Sequence, residues 1–232
     1  MPGRAKLGAS LFALLIVLPL CVAQSTKPID PPPEDVPEAR FGTTVVLSTG
    51  LQGRIFYISH YSKKLPNLDK KKPVGTIYTT GLNIPHRQFT EGFPGITNRN
   101  EWFALDYTGR FWIDKPGKYR FALESDDGSK LYVDGKEVID NDGLHPVQRV
   151  ESEVDLAGGL HALRLSYFQG PRFELSLIFT VARPGETNFH VFNSNDFKPP
   201  SDPAEWKYGH PDDLKNLPDL TPAKKRRRAS QP

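Results

Sequence analysis

Gly117-Lys118-Tyr119-Arg120-Phe121-Ala122-Leu123-Glu124-Ser125-Asp126-Asp127-Gly128-Ser129-Lys130-Leu131-Tyr132-Val133-Asp134-Gly135-Lys136-Glu137-Val138-Ile139-Asp140-Asn141-Asp142-Gly143 carries the strongest structural signal in the chain. Tyr119, Phe121 and Leu123 fall on one face of an alternating run, and Leu131 and Val133 repeat the period of two, the mark of half-buried strands. Asp126-Asp127-Gly128-Ser129 predicts a tight acidic corner at the tip of a β-hairpin, and Asp134-Gly135 predicts a second turn into another short strand. Two adjacent carboxylates at such a tip repel each other unless a cation or hydrogen-bond donors compensate. This is the place where the sequence specifies chemistry as well as packing.

The pattern continues on both sides. Upstream, Gly50-Leu51-Gln52-Gly53 reads as a turn, Arg54 to Ile58 as a strand, and Lys63 to Lys72 as a solvated loop. Thr76 to Thr80 is a further β-prone run, Ile84 to Arg99 an ordered aromatic loop on the core, and Trp102 to Ile113 one long β-prone run with a bulge or bend at Gly109. Downstream, Val150 to Leu156, His161 to Tyr167 and Phe173 to Phe179 alternate, separated by Gly158-Gly159 and Gln169-Gly170-Pro171. No segment keeps a 3.6-residue period for three turns. The expected class is all-β, an antiparallel sandwich or barrel.

Arg4 and Lys6 precede an apolar run from Leu7 to Leu20 and then Cys21-Val22-Ala23, the layout of a secretory signal peptide over residues 1–23. Leu20 is too bulky before Cys21 for the lipoprotein alternative. Cleavage removes the single cysteine and two of the three net positive charges. It leaves no disulfide, no thiol chemistry and no transmembrane segment, and the expected location is secreted or periplasmic. Residues 24–40 hold Pro28, Pro31, Pro32, Pro33 and Pro37 and read as an extended tether. The folded domain is expected over 41–197, starting near Phe41 to Leu47. A flexible polar tail over 198–232 ends in Lys224-Lys225-Arg226-Arg227-Arg228. The near-neutral balance gives no reason to expect a nucleic-acid partner.

Gly117 to Phe121, Ser125 to Gly135 and Val138 to Asn141, followed by Leu156-Ala157-Gly158-Gly159-Leu160-His161-Ala162-Leu163 and Tyr167-Phe168, resemble the signature of a PA14 domain across roughly residues 50–185. The resemblance implies a β-sandwich or barrel module whose commonest role is carbohydrate binding. In lectin members, adjacent aspartates joined by a cis peptide hold a calcium ion that coordinates sugar hydroxyls. Asp126 and Asp127 occupy those positions here. A later loop completes the ion's shell in those members; in this chain it would be Gln169-Gly170-Pro171-Arg172, with Gln169 as an oxygen ligand and Arg172 as a donor to the bound ligand. That loop lacks the acidic or asparagine residues the lectin pattern prefers.

Calcium's demand for six to eight hard oxygens makes the carboxylate pair chemically apt, although Asp-Asp-Gly also suits a turn with no ion. An EF-hand reading fails, because Gly128 and Lys130 stand at ligand positions and Leu131 at the central glycine. Asp140-Asn141-Asp142-Gly143 reads as a turn. The histidines, at 60, 86, 145, 161, 190 and 210, show no metal spacing, and His161 reads as a structural residue. Trp102, Trp112 and Tyr132 are candidates for stacking on a sugar ring, with core packing the alternative for the two tryptophans. No nucleophile with a base is recognisable, and Asp126 and Asp127 are too close together to form a glycosidase pair, so no enzyme is expected. The leading expectation is an exported module recognising a glycan or cell-surface polysaccharide through calcium. The alternative is a non-lectin protein-interaction or structural module of the cell envelope, docking through Ile84 to Ile96.

Overall fold

The computed structural model describes residues 50–96, 99–171 and 173–209. Eleven strands run in chain order among them: β1 (Leu51–Tyr57), β2 (Gly75–Thr79), β3 (Asn83–Gln88), β4 (Phe103–Ile113), β5 (Gly117–Asp126), β6 (Ser129–Val133), β7 (Lys136–Asn141), β8 (Gln148–Leu156), β9 (Gly159–Gln169), β10 (Glu174–Ala182) and β11 (His190–Val191). The helical elements among the described residues are 3₁₀ turns, at Leu68–Lys70, Phe89–Glu91, Ser194–Phe197 and Pro203–Glu205. The strands form two antiparallel sheets. One has the order β2-β1-β4-β9-β6-β7, the other β11-β10-β5-β8, with β3 added on β10. The architecture is an all-β sandwich.

The two sheets bury their facing sides against each other. Phe103, Leu105, Tyr107 and Phe111 of β4 and Leu163, Leu165 and Tyr167 of β9 point inward from one sheet. They meet Tyr119, Phe121 and Leu123 of β5 and Leu175, Leu177, Phe179 and Val181 of β10 from the other. Every one of these side chains alternates in sequence with a neighbour of the opposite face, which is why period-two reasoning locates them. Each contributes roughly 1.5–3 kcal/mol by leaving water. Phe111 meets Phe121 and Phe192 edge-on, the arrangement the ring quadrupole favours.

β5 and β6 do not pair with each other. β5 bonds to β10 and β8, while β6 bonds to β7 and β9, so the acidic corner carries the chain from one sheet to the other. The expected hairpin tip is therefore corrected to a crossing between layers. Alternation could not separate the two arrangements, since in both the apolar residues of the flanking strands face a common interior. The second turn is as expected: Asp134 and Gly135 have φ of 50° and 76°, as a two-residue hairpin turn of the favoured hand requires.

Four local expectations also change. Leu51 to Gly53 belong to β1 and not to a turn; Gly53 has no side chain because a Cβ there would stand 2.5 Å from the Tyr107 ring. Gly109 makes no bulge, for β4 keeps unbroken register with β9 from Phe103↔Gln169 to Ile113↔Gly159. Instead Leu51 and the Gly50 carbonyl approach it closely. The aromatic loop begins with the edge strand β3, where Pro85 is tolerated. The lysine-rich loop buries Leu68 against Phe56, Ile58, Ala104 and Phe168 on the outer face of the six-stranded sheet.

Residues 198–209, read from sequence as the start of a polar tail, pack on the domain. Trp206 lies with its ring 4.9 Å from that of Trp112, and Tyr208 covers Gly158, where a Cβ would meet its ring at 2.3 Å. The expected signal peptide, tether, Phe41 to Leu47 segment, Arg172 and basic run at 224–228 lie outside the described residues. No helix among the described residues is long and apolar enough to cross a membrane.

Candidate functional site

Asp126 ends β5 and Ser129 starts β6, so at this crossing between the sheets the whole connection is Asp127 and Gly128. The Asp126–Asp127 peptide bond is cis. Both aspartates are buried, at 8% and 5% exposure. The two oxygens of Asp127 accept from backbone N–H groups: Oδ2 from Gly170 at 2.7 Å and Oδ1 from His145 at 3.2 Å. The Asp126 carbonyl accepts from the Tyr167 hydroxyl at 2.7 Å. Gly128 fits only without a side chain, since a Cβ would meet the Phe168 ring, the Gly143 nitrogen and Asp142 Oδ1.

The serines flanking the corner tie the layers together. Ser125 Oγ and Ser129 Oγ lie 2.7 Å apart, and Asn141 Nδ2 donates to Ser125 Oγ and to the Gln148 carbonyl, both at 3.1 Å. Asn141 Oδ1 is buried with no partner among the described residues. The His145 ring sits between the carbonyls of Pro146 and Asn141.

Burial raises the pKa of both carboxyls. Asp126 is pushed up to about 6, first by loss of solvent and then by the charges of Asp127 and Glu174, with His145 and His86 opposing. Asp127 is raised by burial too, partly offset by the N–H bonds from Gly170 and His145. Among the described residues the hydrogen-bond donors to the Asp127 carboxylate are backbone amides, and no lysine or arginine pairs with either carboxylate. Such a pair favours either a shared proton or a bound cation.

The structure separates the four residues singled out from sequence. Asp126 and Asp127 stand together. Gln169 is the last residue of β9, just before the adjoining loop, and is fully buried; its Oε1 accepts from the Tyr167 hydroxyl at 2.6 Å and its Nε2 donates to the Glu174 carbonyl at 3.0 Å. Its oxygen therefore braces the corner from within. Arg172 lies outside the described residues. Gly170, His145 and Tyr167 escaped the sequence reading as site residues, two of them because they act through backbone N–H groups that every non-proline residue possesses.

Around the corner, Leu144 touches Gly170 and is partly exposed, while Phe173 is 76% exposed at φ 133°. On its far side the Gly170–Phe173 loop is tied to Trp102, whose N–H donates to the Gly170 carbonyl at 3.2 Å, and to Phe89, whose N–H donates to the Phe173 carbonyl at 3.1 Å. Trp102, at φ 58°, lines a cavity of about 610 Å³ with His60, Phe89, Arg99 and Glu101. A positive φ is uncommon for so bulky a side chain. Trp112, by contrast, is buried against Trp206, and Tyr132 lies on the outer sheet face. His161 is structural: its Nδ1 lies 2.7 Å from Asp134 Oδ2 and its Nε2 3.0 Å from the Ala157 carbonyl. No three His, Cys, Asp or Glu side chains among the described residues gather as a metal-binding group.

No curated protein matches the chain. Among solved structures, the PA14 domain of the antifreeze protein MpAFP is similar with a TM-score of 0.55 at 16% identity, over 64% of this chain and 89% of that one. The PA14 sugar-binding domain from an RTX adhesin is similar with a TM-score of 0.51 at 18% identity, over 63% of this chain and 96% of that one. An anti-sigma factor domain-containing protein from Clostridium clariflavum gives a TM-score of 0.51 at 20% identity, covering 70% of this chain; the match spans half of that protein's length. At these identities the likeness speaks for the fold. Residues 47–195, a span that takes in both sheets, the crossing corner and the His161 strand, match the PA14 domain family, and on that match the chain belongs to the PA14 domain family.

Proposed function

We propose that the protein is an exported carbohydrate-binding module whose ligand meets the corner formed by Asp126 and Asp127. The observation that carries this reading is the burial of two adjacent carboxylates at the crossing between the sheets, with backbone amides as the donors on Asp127. A divalent cation offsets that charge, and hard carboxylate oxygens are calcium's preferred donors. The two carboxylates suit calcium in the type of donor they offer, and the rest of its shell would come from ligand and water. Asp126 and Asp127 would hold the ion, which when bound supplies coordination positions for vicinal hydroxyls.

The chain's own residues do the remaining work. Gly170 and His145 fix the Asp127 oxygens, and Tyr167 locks the backbone of Asp126 to the amide of Gln169. Phe173 presents an exposed apolar ring at the end of the same loop, a surface on which the C–H face of a sugar can rest. Gln169 belongs to this support and not to the ligand set.

Calorimetric titration of the protein with calcium, repeated on Asp127→Ala, tests the first step. Binding is expected in the wild type and its loss in the variant. A glycan array read in calcium and in chelator tests the second. Absence of calcium binding at millimolar concentration would remove the basis of this reading.

A further inference from the structure

The outer face of the six-stranded sheet carries a feature unrelated to the corner. Cross-strand register places Arg54, Asp106, Ser166, Lys130 and Asp140 side by side on five successive strands, β1, β4, β9, β6 and β7. Its members are bonded in two groups, one around Asp106 and one around Lys130. Asp106, fully buried, accepts from Arg54 at 2.7 Å, from Arg164 Nε at 2.7 Å and from Ser166 Oγ at 2.8 Å. Lys130 donates to Asp140 at 2.8 Å and to Glu137 at 3.0 Å. Arg164 reaches on to Asp69 at 2.7 Å and lies over the Tyr132 ring, whose hydroxyl donates to Glu137.

The same face is apolar at both ends and covered there. Leu68 seals Phe56, Ala104 and Phe168 at one end, and Trp206 lies on Trp112 at the other. Between them a groove of about 350 Å³ stays open, lined by Asn67, Asp69, Lys130, Tyr132, Asp142 and Arg164, among others. Buried ion pairs add little to stability compared with an apolar surface of similar shape, so packing alone does not account for a polar centre between two apolar flanks. Asp69 and Asp142 balance Lys130 and Arg164, which makes the lining neutral. It presents fixed donors and acceptors beside a tyrosine ring in a volume typical of small-ligand sites.

We infer that this groove is a second saccharide subsite, independent of calcium, that takes a neutral sugar ring against Tyr132. The ring hydroxyls exchange hydrogen bonds with Asp69, Arg164 and Lys130. A neutral polyol fits better than an anion, because Arg164 is already paired with Asp69 and Asp106, and Lys130 with Glu137 and Asp140.

The test is an amide-resolved NMR titration of the protein in EDTA with cellobiose, lactose and N,N′-diacetylchitobiose. Saturable shifts at Lys130, Tyr132 and Arg164 are expected for at least one of these sugars. Tyr132→Ala and Asp69→Ala should each weaken that binding roughly tenfold or more without altering the spectrum of the core strands, and Asp127→Ala should leave it unchanged. If no sugar moves these signals in EDTA, or if the shifts survive in both groove variants, the subsite does not exist. If the shifts vanish in Asp127→Ala, the binding belongs to the corner and the inference is overturned. Failure at the corner with success here would instead remove only the calcium reading.

Discussion

Asp127 and Asp126 show how differently two neighbouring identical side chains can be held. Asp127 has an N–H donor on each oxygen, while burial and its neighbour push the Asp126 carboxyl from 3.8 up to about 6. In the calcium-free protein the native state thus keeps a proton that the unfolded chain has released between about pH 4 and 6, so stability falls as pH rises through that window. The melting temperature measured in chelator should drop by a few degrees from the acid to the neutral side, at roughly 2–4 °C per kcal/mol. Asp126→Asn should flatten that slope and raise the melting temperature near neutrality; an unchanged slope would show that Asp126 titrates normally. At this scale the sequence reading reached the aspartates but not their supports. Asp-Asp-Gly-Ser announces a corner, yet nothing in the letters says that the Gln169 oxygen turns inward to Tyr167 or that the amides of Gly170 and His145 converge from distant positions.

Among the strands, register makes combinations that no single segment reveals. β5 and β6 were legible as strands from their alternation, but their assignment to different sheets depends on pairings with β8 to β10. The Arg54-Asp106-Ser166-Lys130-Asp140 row was invisible for the same reason, since its members come from five strands spread between positions 54 and 166 of the chain. Asp106 is its keystone, with three partners. Asp106→Ala would leave Arg54 and Arg164 facing an apolar wall. Because both arginines keep partial contact with water, the expected loss is roughly 2–4 kcal/mol, at or below that of a wholly buried pair. Asp69→Ala, at the exposed end, should cost under about 1 kcal/mol. Urea unfolding of the two variants checks the contrast, and equal costs would mean that the row is not organised around Asp106.

Taken whole, the all-β class and the inward residues were readable because a sandwich writes its core as alternation in nearly every strand. The domain's later limit was not readable: residues 198–209 have the composition of a tail, and only the geometry shows Trp206 and Tyr208 on the sheet. The placement of the chain's three tryptophans follows from that architecture. Trp102 stands beside the Gly170 loop, whereas Trp112 pairs with Trp206 of the returning segment. The molecule is thereby optically labelled at two separate places without any added dye. Ligand or calcium arriving at the corner should alter the emission of Trp102 alone, so the fluorescence response should disappear in Trp102→Phe and persist in Trp206→Phe. The reverse result would place the binding event at the other fluorophores. The Trp112–Trp206 signal is left to report whether the 198–209 segment stays seated while the ligand binds elsewhere.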